Sequence, residues 1–430
     1  MKYAIRTFGC RVNQADSFEI EERLRARGAV EAPLDEAELV VVNTCTVTGA
    51  ADRGARTLVR RVAGRNPSAR IVLTGCYATR EPDALAAMPG VVRLVPNSRK
   101  DDLVPGVCGS TSIEGDCRPH LEPGAMGRTA YPLRVQTGCD QRCAFCVIPS
   151  TRGASRSRLI EEVLADVGRR ASAGYKEQWI VGVHLGSYGR DLSPARSLAA
   201  LLRALDRADG DVSFRIGSLE PMDCTPEIVD LVARSGRFAP HFHLPLQHGS
   251  DRVLGRMRRP YSVAFYRALV EHIHTRLPHA SIGTDLIAGF PGESEADAEE
   301  SERAIAALPL SYLHVFPYSD RPGTEAATMW PKVAPALVKA RAARLRDAGG
   351  RLASRFTGTQ IGALRPGLTI DDGTTVLTDN FLKVAIPPGL ARNTRVRVRI
   401  DTDSPALTGR LMGSGTFSHT SLNKAVTRPR

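Results

Sequence analysis

Three cysteines within eight residues constrain this chain more than any other feature. Cys139, Cys143 and Cys146 have the spacing C-x3-C-x2-C in the stretch RVQTGCDQRCAFCVIPSTRG, with the aromatic Phe145 just before the last of them. A mostly apolar run, Tyr131 to Val135, leads in like a short strand. Three thiolates so close on a loop can close around one iron–sulfur cube, whose metal ligands are characteristically cysteines. A four-iron cube with three protein ligands leaves one iron open, and an open metal position can bind a substrate or cofactor. A zinc knot wants a fourth ligand at set spacing, and no second C-x2-C or H-x3-H follows. An odd number of cysteines disfavours a disulfide. Chance clustering is the remaining alternative.

Composition narrows the setting. The 430 residues and 42% hydrophobic content suit several domains with sizeable cores. No apolar run approaches a membrane span, and the start, MKYAIRTFGC, lacks an apolar signal core. No membrane partner and a cytoplasmic location are therefore expected. In that setting nine cysteines read as metal ligands or buried thiols rather than a disulfide framework. The 58 Lys+Arg against 46 Asp+Glu give a net charge of +12, which favours a polyanionic partner, RNA or DNA, through phosphate contacts. A solvated basic surface is the alternative reading of the same charge.

The first segment, residues 1–124, alternates strand and helix signals. Lys2 to Phe8, Leu39 to Val42, Arg70 to Leu73 and Val91 to Val95 read as strands. Asp16 to Arg27, Ala50 to Ala63 and Pro82 to Met88 read as helices. The pattern predicts an open parallel α/β sheet. Cys10, Cys45 and Cys76 each follow one of its strands, in TFGC, VVVNTC and VLTGC. The carboxyl ends of strands in such sheets line the ligand crevice. Together with Gly9 and Gly75, the three cysteines are expected to converge as a second cluster-binding set, although each alone reads as a small buried hydrophobe. Cys108, Cys117 and Cys224 have no such placement.

The middle segment, residues 129–355, repeats a strand–helix unit six times, with strands starting near Leu133, Gln178, Val212, His241, Ala280 and Tyr312. This predicts a partial (β/α)6 barrel, with Cys139 just after the first strand and so at the barrel mouth. His184, Ser218, Glu220, His243, Gln247, His248, Asp285, Gly289 and Gly292 follow later strands, and Glu220, Gln247, Asp285 and Gly289 are the chosen cofactor contacts. The basic loops Arg152 to Arg158 and Arg256 to Arg259 suit phosphate binding or a solvated face. The last segment, residues 356–418, holds five short strand-like runs, which predict a small antiparallel β-barrel. In RVRVRI, Arg395, Arg397 and Arg399 alternate with apolar residues, a face suited to an RNA backbone or to protecting a sheet edge. Residues 419–430 read as a disordered tail.

The whole chain resembles the radical S-adenosylmethionine (SAM) methylthiotransferases. Cys139, Cys143 and Cys146 match that family's radical SAM triad, and Cys10, Cys45 and Cys76 match the cysteines of its N-terminal auxiliary cluster. The last segment resembles a TRAM domain. TFGCRVNQADS, NTCTVTGAAD, GVHLGSYG, FHLPLQHGSD, RMRRPY and HVFPYSDRPGT look most like the branch acting on N6-threonylcarbamoyladenosine (t6A) in tRNA. The Gly-Gly-Glu motif of many radical SAM enzymes is absent; Gly182-Val183-His184 stands there. The resemblance implies two [4Fe-4S] clusters and SAM as cofactors, with Cys139, Cys143 and Cys146 as catalytic residues. It implies tRNA rather than DNA as the nucleic-acid partner, and an electron donor of flavodoxin or ferredoxin type. The implied reaction places a methylthio group on C2 of t6A at position 37, after hydrogen abstraction by a 5′-deoxyadenosyl radical. Isopentenyladenosine in tRNA, or an aspartate of a ribosomal protein, is the substrate elsewhere in the family. A non-enzymatic RNA-binding iron–sulfur protein is the alternative of another class.

Overall fold

The computed structural model describes residues 1–108, 121–402 and 406–412. Cys117 and the tail expected over residues 419–430 lie outside them. Two compact units form. The first comprises Met1–Leu121, Thr137–Arg156 and Ser319–Ala327; the second comprises Glu122–Gln136, Ser157–Tyr318 and Thr328–Arg430. Among the described residues no helix is long and apolar enough to cross a membrane.

The first unit is built on strands β1 (Lys2–Thr7), β2 (Val30–Glu31), β3 (Leu39–Thr44), β4 (Arg70–Gly75) and β5 (Val91–Val95). They form one sheet in the order β2-β1-β3-β4-β5, all pairs parallel, as the alternating pattern predicts. β2 was not expected; two exposed residues carry no readable period. Leu39 to Val42 are fully buried, which explains their unbroken apolar run. Helix α1 spans Arg11–Arg25 and helix α2 spans Gly49–Arg65. Leu58, Val59 and Val62 of α2 pack with Val40, Val42, Ile71 and Leu73 on one face of the sheet. Tyr3 alternates with Ala4 of that face and so points to the other, where its hydroxyl donates to Glu21 of α1 at 3.2 Å. Thr48 caps α2 by accepting from the Ala51 amide at 3.3 Å. The start of α1 lies five residues before the expected Asp16, because its first turn is mostly polar and offers only Val12 as an apolar residue.

The second unit contains six parallel strands: β6 (Tyr131–Arg134), β7 (Glu177–Val181), β8 (Ser213–Ile216), β9 (His241–His243), β10 (Ser281–Ala288) and β11 (Tyr312–Pro317). They pair as β8-β7-β6 and β9-β10-β11, and single parallel bridges, Phe214 with Phe238 and Ser218 with His243, join the two halves. The expected partial barrel is therefore present. The helix Pro335–Gln360 follows the sixth strand.

Five further strands close into a barrel: β12 (Leu364–Ile370), β13 (Thr375–Thr378), β14 (Lys383–Ala385), β15 (Arg395–Thr402) and β16 (Thr408–Leu411), in the order β12-β13-β14-β16-β15. The expected all-antiparallel pattern needs one correction. β14 and β16 run parallel, Ala385 opposite Thr408, so closure yields a mixed barrel. Val376, Val384, Val396, Val398 and Ile400 fill it. This barrel docks on the (β/α)6 strands through a buried arginine. Arg215 of β8 pairs with Glu177 of β7 at 3.2 Å and donates to the carbonyls of Asp379 at 2.8 Å and Thr378 at 3.2 Å. Phe381 packs against His241, with ring centroids 4.5 Å apart, and against Trp179 at 5.7 Å. Arg395 is buried too. It donates to the carbonyls of Lys176 at 2.9 Å and Asp211 at 2.7 Å, so only Arg397 and Arg399 of the expected arginine face remain partly exposed.

Candidate functional site

The first cysteine set is placed by the sheet. β1, β3 and β4 are adjacent, and their register puts Thr7 beside Asn43 and Thr44 beside Gly75. Cys45 and Cys76 follow Thr44 and Gly75 directly, and Cys10 caps α1 after β1. Two glycines let the chain turn there. A Cβ on Gly9, at φ +93°, would stand 2.5 Å from the Cys45 side chain, and one on Gly75, at φ +97°, would stand 2.2 Å from the Thr44 carbonyl. Cys10 is exposed, whereas Cys45 and Cys76 are buried. Burial pushes the Cys45 thiol up to about 12, and the nearby Cys10 and Cys76 thiols add to this against a backbone hydrogen bond at Val47. A thiol raised by burial becomes a thiolate when a cation binds it.

The donor set fits an iron–sulfur cluster. Three convergent thiols are available as ligands. The buried Arg152 Nε and the hydroxyls of Thr46, beside Cys45, and Thr74, two residues before Cys76, have no hydrogen-bond partner. Bridging sulfides are acceptors of the kind such donors need.

The second set lies on the loop between β6 and the short helix Ile148–Arg152, and all three thiols are half-buried. Its geometry is fixed by the backbone. The Cys139 amide donates to the Gly153 carbonyl at 3.0 Å, the Cys146 amide to the Cys143 carbonyl at 3.1 Å, and the Ile148 amide to Cys146 Sγ at 3.4 Å. A Cβ on Gly138, at φ +76°, would lie 1.8 Å from the Ala154 carbonyl. Both sets lie in the first unit. The helix Ile148–Arg152 packs on the short helix Cys76–Arg80. Asn97 Nδ2 spans the two, 3.5 Å from Cys76 Sγ and 3.0 Å from the Thr151 carbonyl.

Two carboxylates nearby each carry two cations. Asp16 receives Lys100 at 2.6 Å and Arg152 at 2.9 Å. Asp52 receives Arg80 at 3.0 Å and Arg321 at 2.6 Å. Arg152 departs from the phosphate-binding or solvated-face reading of the loop Arg152 to Arg158. That reading is corrected: its side chain is 3% exposed and its charge is spent inward. The sequence does carry a signal for this network. Asn13, Asp16 and Ser17 sit on the buried side of α1, where an ordinary amphipathic helix is apolar.

The expected SAM contacts all lie in the second unit. Glu220 follows β8 and is held by Arg259, which is itself buried, so Arg259 does not present its charge to a phosphate. Gln247 follows β9 at φ +73°, and its amide donates to the Asp285 carbonyl at 2.8 Å. Gly289 follows β10 at φ +79°, its amide donating to Glu293 at 2.6 Å. Asp285 Oδ1 accepts from both His243 and His314 at 3.1 Å. Burial raises the Asp285 carboxyl, but these hydrogen bonds outweigh it and hold the group at about 2. His184, where the Gly-Gly-Glu motif would stand, is buried and bonded to Asp223 at 3.0 Å, with its amide on the Gln136 side chain at 3.0 Å.

The model described as Uncharacterized protein family UPF0004 matches residues 2–96, and the Radical SAM superfamily model matches residues 133–305. The chain is 35% identical over 398 residues to the threonylcarbamoyladenosine tRNA methylthiotransferase MtaB of Aquifex aeolicus, covering 89% of this chain and 96% of that protein. It is 31% identical over 363 residues to the tRNA-2-methylthio-N(6)-dimethylallyladenosine synthase of Streptomyces avermitilis, covering 80% and 71% respectively. Among solved structures, the radical S-adenosylmethionine methyltransferase TsrM of Kitasatospora setae superposes with a TM-score of 0.55 over 76% of this chain and 77% of that one. At 16% identity this likeness speaks for the fold alone.

Proposed function

This chain belongs to the radical SAM methylthiotransferase family, and we propose that it places a methylthio group on C2 of t6A in tRNA. The observation that carries the choice of substrate is the match to the threonylcarbamoyladenosine enzyme. It is higher in identity and more complete over both chains than the match to the dimethylallyladenosine enzyme. Family membership implies a [4Fe-4S] cluster and SAM, and the N-terminal match suggests a second cluster. We assign the SAM-cleaving cluster to Cys139, Cys143 and Cys146, and the auxiliary cluster to Cys10, Cys45 and Cys76. When bound, these groups supply the one-electron and sulfur chemistry that a C–H bond with no acidic proton requires.

The protein's own residues hold and orient. Asn97 and the helix Ile148–Arg152 fix one cysteine loop on the other, so that one substrate atom can be served by both. Glu220, Gln247 and Gly289, which follow barrel strands, and Asp285, within β10, are the proposed SAM contacts, since the ligand sites of such barrels lie toward the carboxyl ends of their strands. Segments 1–124, 129–355 and 356–418 then act as the methylthiotransferase, radical SAM and TRAM-like RNA-binding domains. Arg397 and Arg399 are the candidate phosphate contacts of the last. A tRNA substrate supports a cytoplasmic setting, and a flavodoxin or ferredoxin is the proposed electron donor.

The test is a competition. Anaerobically reconstituted enzyme, SAM, a reductant and an equal mixture of tRNAs carrying t6A or dimethylallyladenosine are incubated, and the nucleosides are resolved by mass spectrometry. The 2-methylthio product should form on t6A. Product confined to dimethylallyladenosine would contradict the assignment, and failure to form 5′-deoxyadenosine from SAM would favour a non-catalytic iron–sulfur protein.

A further inference from the structure

The buried network on Asp16 is larger than an ion pair needs to be. Asp16 lies six residues after Cys10 on α1 and is wholly buried. It holds the Lys100 amine and the Arg152 guanidinium on one carboxylate; burial lowers the Lys100 pKa while the Asp16 carboxylate opposes this, and with both bases protonated the trio carries one net positive charge. Arg152 also donates to the Asn13 side-chain oxygen, and at 3.3 Å to the Thr137 hydroxyl. Asn13 in turn donates to the carbonyl of Phe8 at 2.8 Å and to that of Thr44 at 3.0 Å. Those carbonyls stand two residues before Cys10 and one before Cys45. Asn43, next to Lys100 at 3.5 Å, donates to the Asn13 carbonyl at 2.8 Å and to the Ser17 hydroxyl at 2.9 Å. The third cysteine is reached from the same helix, since Asn97 links the Thr151 carbonyl to Cys76 Sγ. One short helix, beginning two residues after Cys146, thus props the backbone or sulfur of all three cysteines of the other set.

Charge supplies the second half of the argument. An uncompensated buried positive charge is strongly unfavourable. Thiolate ligands beside it are the natural counter-charge, and the fields of Cys10 and Cys76 act on Arg152. Because reduction adds negative charge to a cluster, a fixed cation beside it favours the reduced form, and net charge is one of the levers on cluster potential.

We propose that Arg152 is a positioning residue shared by the two cysteine sets. Through Asn13 it fixes the strand ends that carry Cys10 and Cys45. Together with Lys100 and Asp16 it sets the reduction potential of the group those cysteines and Cys76 hold. The proposal rests on the assignment of an auxiliary cluster to that set.

The test uses the full-length, anaerobically reconstituted enzyme as wild type, Arg152→Gln, Arg152→Lys and Asp16→Asn. Iron is counted, and both clusters are titrated by electron paramagnetic resonance. The signal that SAM leaves unperturbed is taken as the auxiliary cluster. Arg152→Gln removes a positive charge and should shift that midpoint to more negative potential. Asp16→Asn, titrated at a pH low enough to keep Lys100 protonated, removes a negative charge and should shift it to more positive potential. Arg152→Lys, which keeps the charge, should stay nearer wild type than Arg152→Gln. A purely structural ion pair would make the Gln and Asn variants move together, because both break the same contact. Shifts in one direction, or none, at wild-type iron content overturn the proposal. If Arg152→Gln loses iron, Asp16→Asn decides alone: a positive shift supports the proposal and its absence overturns it. A wild-type enzyme with only a SAM-sensitive signal overturns the auxiliary-cluster assignment itself, a result separate from any variant effect.

Discussion

Arg215 offers a quantitative test of how the C-terminal barrel is held. Its side chain is fully buried and pairs with Glu177 through two nitrogens at 3.2 and 3.3 Å. It also closes two barrel carbonyls and lies 5.2 Å from the Trp179 ring and 5.3 Å from the Phe381 ring. Arg215→Met keeps the apolar stem but leaves Glu177 as a buried, unpaired carboxylate. Breaking such a pair costs about 3–5 kcal/mol. Each orphaned carbonyl adds about 1 kcal/mol, and a lost cation–π contact a similar amount. These terms overlap, and Trp179 Nε1 still donates to Glu177 at 2.6 Å, so about 3–5 kcal/mol stands for the whole. The loss falls on barrel docking. Native-state hydrogen exchange should therefore show the amides of residues 378–385 exchanging roughly 10²–10³-fold faster, at about 1.4 kcal/mol per tenfold. Adding Glu177→Leu should restore most of the protection, because replacing both charges by apolar groups is close to neutral. Less than tenfold acceleration, or a double variant no better than the single one, would refute the reasoning.

Further expectations concern the cysteine sets and pH. Cys10→Ala should lose about half the iron and sulfide and abolish methylthiolation while still forming 5′-deoxyadenosine; Cys143→Ala should abolish both, and equal loss of 5′-deoxyadenosine in the two variants would show that the assigned roles are wrong. Gly138→Ala forces a non-glycine residue to φ +76° with its Cβ against the Ala154 carbonyl, strain of about 1–3 kcal/mol or more. Iron analysis should then show one cluster lost and the Cys10 set still loaded. His279 contacts the barrel through its carbonyl, which accepts from Asn380 at 3.0 Å. Burial lowers this histidine from 6.5 to about 4, the Arg365 charge adding to it and Asp379 opposing. Its neutral form is the one folding favours, so its contribution is complete above pH 6.5 and is lost as pH falls from 6.5 through about 4. Trp179 fluorescence, reporting on the Phe381 contact, should follow that window in wild type and flatten in His279→Gln.

Much of this architecture was legible because it follows from period and punctuation. The continuous apolar run Leu39 to Val42 announced a strand buried on both faces, and it is one. The three cysteines after strands converge because parallel register carries the carboxyl ends of β1, β3 and β4 to one edge. What stayed hidden are contacts between residues far apart in sequence. Nothing near Arg152 indicates that its partner is Asp16, some 136 residues earlier, and in a run of surface-like arginines it looks like a phosphate contact. Arg259 and Arg395 hide in the same way, since a linear pattern shows charge but not whether a carboxylate or a carbonyl waits for it. The parallel pairing of β14 with β16 was hidden because it involves one residue pair and is imposed by barrel closure. The choice of t6A has no carrier among the cysteines. It rests on likeness along the whole chain.

That choice is tested most directly in the tRNA of the source cell. Total tRNA from a strain lacking this gene, and from the same strain with the gene restored, is digested to nucleosides and resolved by mass spectrometry. The account predicts that 2-methylthio-t6A disappears on deletion while t6A accumulates, that it returns with the wild-type gene, and that it does not return with Cys143→Ala. Unchanged 2-methylthio-t6A in the deletion strain would contradict it.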